Sequence, residues 1–362
     1  MKLTRKILAL ALAALLCAPL PGCAGNTYKK YSASFFGTFD TVIEVMGYAR
    51  TEKEFDAWEQ KAEARFRQLH QLYDQYNDYP GVANVKTIND NAGKAPVTVD
   101  KDLFEMIKTS RDWCVNSPDK INIAMGAVLQ LWHNYRDAGI ADPANAQLPP
   151  MEDLKKAAQH TDIRQVILDE ANRTVYLEDP LMALDVGSVA KGYATELVAQ
   201  ELEAAGWSSF ILSSGGNVRA GGSPLDGKRT KWGVGITDPR NPTGGTADDT
   251  SLDTVFGIDM SVTTAGDYQR AYVVGGKAYN HIIDPDTLMS GTRFRAVTVV
   301  TKDSGYADFL DTLLFLMPYE EGLAYVDTLP GVEALWVFPD DSVKVTEGLK
   351  PMLKKLGGAT SK

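Results

Sequence analysis

Apolar residues recur at intervals of three and four through Phe55, Trp58, Ala62, Phe66, Leu69, Leu72 and Tyr73, which predicts a long helix over 52–76. A second stripe follows Asp100, read as an N-cap, and ends near Cys114. A third spans 121–135 with Leu129, Leu131 and Trp132 as anchors, a short helix ends near His160, and an apolar helix covers 304–317. Elsewhere the period drops to two, the mark of strands. These are placed at 35–46, 165–168, 174–177, 209–213 with a return to Ala220, 232–237, several between 255 and 279, 294–301, 334–337 and 343–345. The stretches 77–100, 142–150 and 238–253 read as loops, 23–33 as a tether and 351–362 as a polar tail. Many hairpins with helices grouped between them predict one α+β domain over 34–350, not a doubly wound sheet.

The chain centres on Leu184-Asp-Val-Gly-Ser-Val-Ala-Lys-Gly-Tyr-Ala-Thr-Glu196. Asp185 closes a short strand, Gly187 and Ser188 turn into a helix running to about residue 205, and Lys191 stands in its first turn. Free N–H groups at a helix start hold anions, and a lysine there adds charge. Most such junctions are plain structure, and no GxGxxG or Walker spacing is present. The turn Ser214-Gly215-Gly216-Asn217 is either a simple hairpin or a place where backbone approaches a ligand closely.

In the last long helix Asp308, Asp311 and Thr312 share one face and interrupt the apolar stripe of Phe309, Leu310, Leu313, Leu314 and Leu316. Carboxylates beside a core stripe need partners. A hard cation such as Mg²⁺ would supply one, and a solvated helix edge would remove the need. A dense polar run brings Thr264, Tyr268, Arg270, His281 and Asp284 toward one region of two strands.

Composition narrows the classes. With 44% apolar and 23% charged residues the chain is globular, and a net charge of −10 argues against nucleic acid as a partner. It leaves room for a phosphate held in a local site. Lys2, Arg5 and Lys6 precede an apolar run at 7–16 that is too short to span a bilayer. Leu20-Pro21-Gly22-Cys23 then resembles a bacterial lipobox, which predicts removal of 1–22, lipidation of Cys23 and a lipid-anchored place in the cell envelope, outside the cytoplasm. An ordinary signal peptide with an incidental cysteine is the alternative. Cys114 is the one cysteine left in the body and falls on an apolar helical face, so it reads as core and zinc spacing motifs are absent.

Four segments in order resemble the ApbE family of flavin transferases, which move FMN from FAD onto a protein hydroxyl. They are Leu184 to Tyr193, Ser214 to Asn217, Thr264 to Arg270 with His281 to Pro285, and Ala307 to Thr312. The likeness runs over about 33–346. It implies a single T-fold-like α+β domain that takes FAD as substrate with Mg²⁺. By this resemblance Asp308, Asp311 and Thr312 are metal ligands joined by an oxygen of Ser188. Asp185, Lys191 and the backbone around Ile282 contact FAD, with Gly215, Gly216 and Asn217 close by and Phe36, Tyr76, Lys120, Ile121 and Asn122 lining the rest. His281 and Asp308 are the expected catalytic pair, and the acceptors are exported flavoproteins such as subunits of membrane redox pumps. The chain departs from the family pattern at Phe36, usually Met, at Asn122, usually Asp, and at Ser188, usually Gly or Ala. Two other readings of the same residues are an FAD pyrophosphatase giving FMN and AMP, and a non-enzymatic flavin-binding lipoprotein.

Overall fold

The computed structural model describes residues 28–242 and 251–362, so Cys23, the leader and most of the tip of the 238–253 loop lie outside it. The strands are β1 (Lys29–Thr38), β2 (Thr41–Ala49), β3 (Val97–Thr98), β4 (Val166–Asp169), β5 (Thr174–Leu177), β6 (Phe210–Ser214), β7 (Asn217–Gly221), β8 (Trp232–Thr237), β9 (Ser251–Gly257), β10 (Met260–Gly266), β11 (Tyr272–Val274), β12 (Lys277–Tyr279), β13 (Ala296–Thr301), β14 (Glu333–Val337) and β15 (Val343–Val345). The helices are α1 (Glu52–Tyr73), α2 (Val85–Asp90), α3 (Lys101–Asn116), α4 (Gly126–Ala141), α5 (Met151–Ala157), α6 (Ala190–Ala204), α7 (Ser304–Leu316), α8 (Tyr319–Val326) and α9 (Lys354–Gly357).

Eight strands form one antiparallel sheet in the order β1-β2-β6-β7-β10-β13-β14-β15. Its central strands are buried on both faces, because successive side chains alternate between two cores. Val297, Val299, Ala334 and Trp336 join Phe66, Leu69, Leu310 and Leu313 on the helical side. Ala296, Val300, Leu335 and Val337 join Trp232, Val234, Ile236 and Val255 of the β8–β9 hairpin on the other. A third cluster ties α4 to the 272–288 region through Trp132, Tyr272, Ile283 and Leu288, and the Trp132 indole donates to Leu288 O at 3.0 Å. The α+β expectation holds.

Two helices cross where the chemistry is expected. A Cβ at Gly192 would overlap Ser304 O and Asp308 Cβ, so the glycine lets α6 meet the start of α7 backbone to backbone. Arg219, fully buried, donates to Glu196 at 3.1 Å, and Glu196 accepts Ser304 N at 2.9 Å. This pins the first turn of α7 to α6.

Several boundaries differ from the sequence reading. The strand expected at 35–46 is two strands, turned at Phe39 and Asp40 with φ of 52° and 50°, and β1 begins at Lys29 inside the stretch read as tether. The first helix stops at Tyr73 because Asp74 takes over the chain, accepting Tyr76 N at 2.6 Å and Asn77 N at 3.1 Å. The 77–100 loop carries α2 and β3, and the helix placed at 121–135 starts at Gly126 and runs to Ala141. The helix α8 was not anticipated. The end of the chain is no free tail: Leu353 is buried, and Asp253 accepts the amides of Lys355 and Leu356 at 2.8 and 3.0 Å.

Candidate active site

One end of the large sheet, where the β1–β2 and β6–β7 turns and the exit of β10 meet the start of α6, encloses a cavity of ≈ 530 Å³. Gly215 lines it at φ 58°, and a Cβ there would overlap Thr41 Oγ1, so both its conformation and its neighbour demand glycine. Asn217 beside it is buried, and its Nδ2 has no partner among the described residues. An unpartnered buried amide donor in a cavity wall fits a ligand that brings an oxygen acceptor.

The floor is set by α7. Asp308 and Asp311 are buried at 4% and 2% exposure, where an unpaired carboxylate is costly. Asp308 Oδ2 accepts Gly192 N at 2.8 Å, and Oδ1 lies 4.0 Å from Lys191 Nζ. Asp311 accepts the Thr312 hydroxyl at 3.2 Å. Burial, then the negative charge of Asp308, pushes the Asp311 carboxyl well above the usual carboxylate range. Among the described residues no three His, Cys, Asp or Glu side chains gather at metal distance. A cation here would draw on two carboxylates, the Thr312 hydroxyl, Ser188 and oxygens of a bound ligand. That all-oxygen set suits Mg²⁺, which keeps few protein ligands and takes the rest from phosphate or water. The residues present fit the ion.

His281 lines the same cavity. Its Nδ1 sits 3.1 Å from Gln269 O. A carbonyl only accepts, so Nδ1 carries the hydrogen and Nε2 keeps its lone pair. Burial, then the positive charges of Arg270 and Lys191, pushes this imidazole down to about 3, which holds it neutral.

On the opposite wall, the end of α1 and one face of α4 supply a polar network. Tyr76 OH is 2.8 Å from His133 Nδ1, Gln75 Nε2 donates to Tyr76 OH at 3.0 Å and to Asp185 Oδ2 at 2.7 Å, and Gly187 N donates to Asp185 Oδ1 at 2.9 Å. Arg136 completes the lining here, while Arg270, next in the chain to the Gln269 that faces His281, lines the cavity on the histidine's side. Sequence reasoning missed Gln75, His133 and Arg136. Leu129, His133 and Arg136 are spaced by four and three, so a polar break in an apolar helix face was the available signal.

Most of the expected site converges on this cavity: Tyr76, Lys120, Ile121, Asn122, Asp185, Ser188, Lys191, Gly215, Asn217, His281, Ile282, Asp308, Asp311 and Thr312. Phe36 and Gly216 are not part of the lining. Phe36 is 66% exposed beyond a bulge in β1, and the neighbouring wall is made by Phe39 instead. Gly216, at φ 103°, only completes the β6–β7 turn. Asn122 spends its side chain on protein backbone, donating to Thr161 O at 2.7 Å and accepting Ala124 N of its own loop at 2.8 Å. Lys120 lines the cavity but is tied to Asp286, with Asp284 at 3.8 Å.

Fold and cavity together define an α+β enzyme whose polar groups converge on one enclosed site. The chain belongs to the ApbE family, whose model matches residues 39–336. It is 34% identical over 282 residues to the FAD:protein FMN transferase of Treponema pallidum, covering 74% of each chain. It is 30% identical to that of Klebsiella pneumoniae over 76% of this chain and 82% of the relative. These matches make it a transferase. In fold it resembles the ApbE protein of Thermotoga maritima, with a TM-score of 0.76 at 24% identity over 90% of this chain and 99% of the other. The apo flavinyl transferase ApbE of Pseudomonas stutzeri gives 0.73 at 22% identity, over 92% and 98%.

Proposed function

We propose that the chain moves FMN from FAD onto a Ser or Thr hydroxyl of an exported protein, with Mg²⁺ required and AMP released. The observation that carries this reading is the buried pair Asp308 and Asp311, beside Lys191 and in one cavity with a neutral histidine whose Nε2 has no hydrogen-bond partner among the described residues. The acceptor oxygen attacks the FMN phosphorus, the phosphoric anhydride bond to AMP breaks, and AMP leaves with the bridging oxygen. His281 Nε2 receives the hydroxyl proton. An anionic substrate group near Arg270 and Lys191 offsets two of the positive charges that, after burial, depress this imidazole, which raises its basicity when substrate is in place. Asp308, Asp311, Thr312 and Ser188 would hold Mg²⁺, which neutralises phosphate charge in such sites. Lys191 adds a fixed positive charge near Asp308, and Asn217 Nδ2 offers a hydrogen bond to a ligand oxygen.

The acceptors proposed are exported flavoproteins, among them subunits of membrane redox pumps. Incubation of FAD, Mg²⁺ and an acceptor domain should give AMP and an acceptor heavier by one FMN unit on a single Thr or Ser, read by intact mass. AMP and free FMN appearing at one rate with or without acceptor, and no adduct, would replace transfer by hydrolysis.

The proposed location is the cell envelope, through lipid on Cys23. Among the described residues no helix is long and apolar enough to cross a membrane, so attachment would rest on the acyl chains. Full-length protein expressed in a bacterium should partition into the detergent phase and Cys23→Ser into the aqueous phase. Wild-type protein in the aqueous phase would end the anchor reading.

A further inference from the structure

Seven non-glycine residues among those described have left-handed backbone angles, and three of them, Phe39, Asp40 and Arg270, line the cavity. Of these three, Arg270, at φ 45°, is the cationic one, and it is exposed. Arginine lacks the short polar side chain that eases Asp and Asn into this region, so the surrounding turn must impose the conformation. Among the described residues its guanidinium makes no hydrogen bond and no ion pair. Across the cavity Arg136 has only the carboxylate of its chain neighbour Asp137, at 2.9 and 3.0 Å, and that carboxylate is 68% exposed and well hydrated.

Both guanidiniums act electrostatically on Tyr76, His133 and His281, which sets them around one part of the cavity although they come from α4 and from the turn after β10. Those three side chains do not neutralise them. Burial holds the Tyr76 phenol protonated and pushes both imidazoles below their ordinary value, toward the neutral form. The carboxylate in this wall, Asp185, already accepts from Gly187 N and Gln75. Two cations are left facing open cavity in a chain of net charge −10.

We propose that Arg270, assisted by Arg136, forms an anion-binding subsite at the cavity entrance that takes an anionic oxygen group. Two sources share that chemistry: a phosphate of the flavin nucleotide, and a carboxylate on the incoming acceptor protein. A guanidinium fork matches either group with two parallel N–H donors. This inference rests on the transfer reaction proposed above and deepens it, because the subsite adjoins the histidine that takes the acceptor's proton.

Arg270→Asn removes the charge while keeping a residue that tolerates left-handed angles, and Arg270→Lys keeps the charge without the fork. FAD, AMP and riboflavin, which has no phosphate, are titrated calorimetrically against full-length wild type and both variants. Transfer to an acceptor domain is followed at saturating FAD. If the anion is a phosphate, Arg270→Asn weakens FAD and AMP by roughly tenfold, the loss of one charge-assisted hydrogen bond. Riboflavin is then unchanged and Arg270→Lys recovers part of the loss. If it is a carboxylate, FAD and AMP bind as before and KM for the acceptor rises by a similar factor at constant kcat, again partly recovered by Lys. The subsite is refuted if Arg270→Asn changes none of these, if Asn and Lys lose equally, or if riboflavin weakens along with the nucleotides. The titrations need no turnover, so absence of any adduct with wild type counts against the transfer reading while the nucleotide arm still decides the subsite.

Discussion

Asp308→Asn is expected to lower Mg²⁺-dependent turnover by at least ~10²-fold while leaving the fold intact, and Asp308→Ala to abolish it. A group that stabilises developing charge is worth about that much. The two substitutions differ in what they do to the crossing of α6 and α7. Asn keeps an oxygen to accept Gly192 N, now bonded at 2.8 Å, and loses only the charge. Ala leaves that buried N–H without a partner, which costs about 1–3 kcal/mol of stability on top of the lost ligand. Thr312→Ala should weaken turnover less than either, because a neutral hydroxyl contributes less to a hard cation than a carboxylate. The check is kcat/KM across a Mg²⁺ titration together with Tm. Normal turnover of Asp308→Asn at limiting Mg²⁺ would remove this residue from the site.

The elements that carry the site were legible because their patterns are strong. From residue 307 to 316 the α7 run is apolar except at Asp308, Asp311 and Thr312, so the two aspartates stood out as carboxylates beside a core stripe. The α6 start was marked by its glycines, and Gly192 turns out to be required by contact with α7, which no local pattern announces. What the sequence hid was long-range. The β1–β2 turn passed for strand because Phe39 is apolar, and only the backbone angles separate it from its neighbours. The packed C-terminus read as polar because α9 is held by Asp253, about a hundred positions away in the chain, through backbone amides rather than side chains.

The same distinction explains the site residues. Asn122 lies in the cavity wall, but its side-chain amide is engaged by Thr161 O and Ala124 N, and the first of these partners is one that no spacing rule reveals. Phe36 was carried to the cavity by its place in a motif, and the turn that follows it delivers Phe39 instead. Conversely, His133 and Arg136 sat unnoticed on a helix read mainly for its anchors. They matter because α4 is pinned through Trp132 to Leu288 O, so its polar face is turned into the cavity. Proton and charge states were not legible at all, since they follow from burial and from charges brought together by folding.

His281→Ala is expected to slow adduct formation by roughly 10²–10⁴, the usual contribution of a positioned acid or base, with FAD affinity largely retained. The argument is tautomeric. Gln269 O fixes hydrogen on Nδ1, so Nε2 is the one acceptor the ring has to offer. A ring pushed down to about 3 is neutral from pH 8 to pH 5, so in the free enzyme His281 contributes no loss of kcat/KM over that range as pH falls. A lowered pKa makes the base available at every physiological pH but weak, and an anionic substrate group near Arg270 and Lys191 is what would strengthen it. Under that account the pH profile of kcat, which reports the bound state, should show an acidic limb at higher pH than the profile of kcat/KM. Both profiles are read from AMP release alongside intact mass of the acceptor. Adduct formation by His281→Ala at the wild-type rate would take the proton-accepting role away from this residue, and identical acidic limbs in the two profiles would remove the coupling between substrate charge and its basicity.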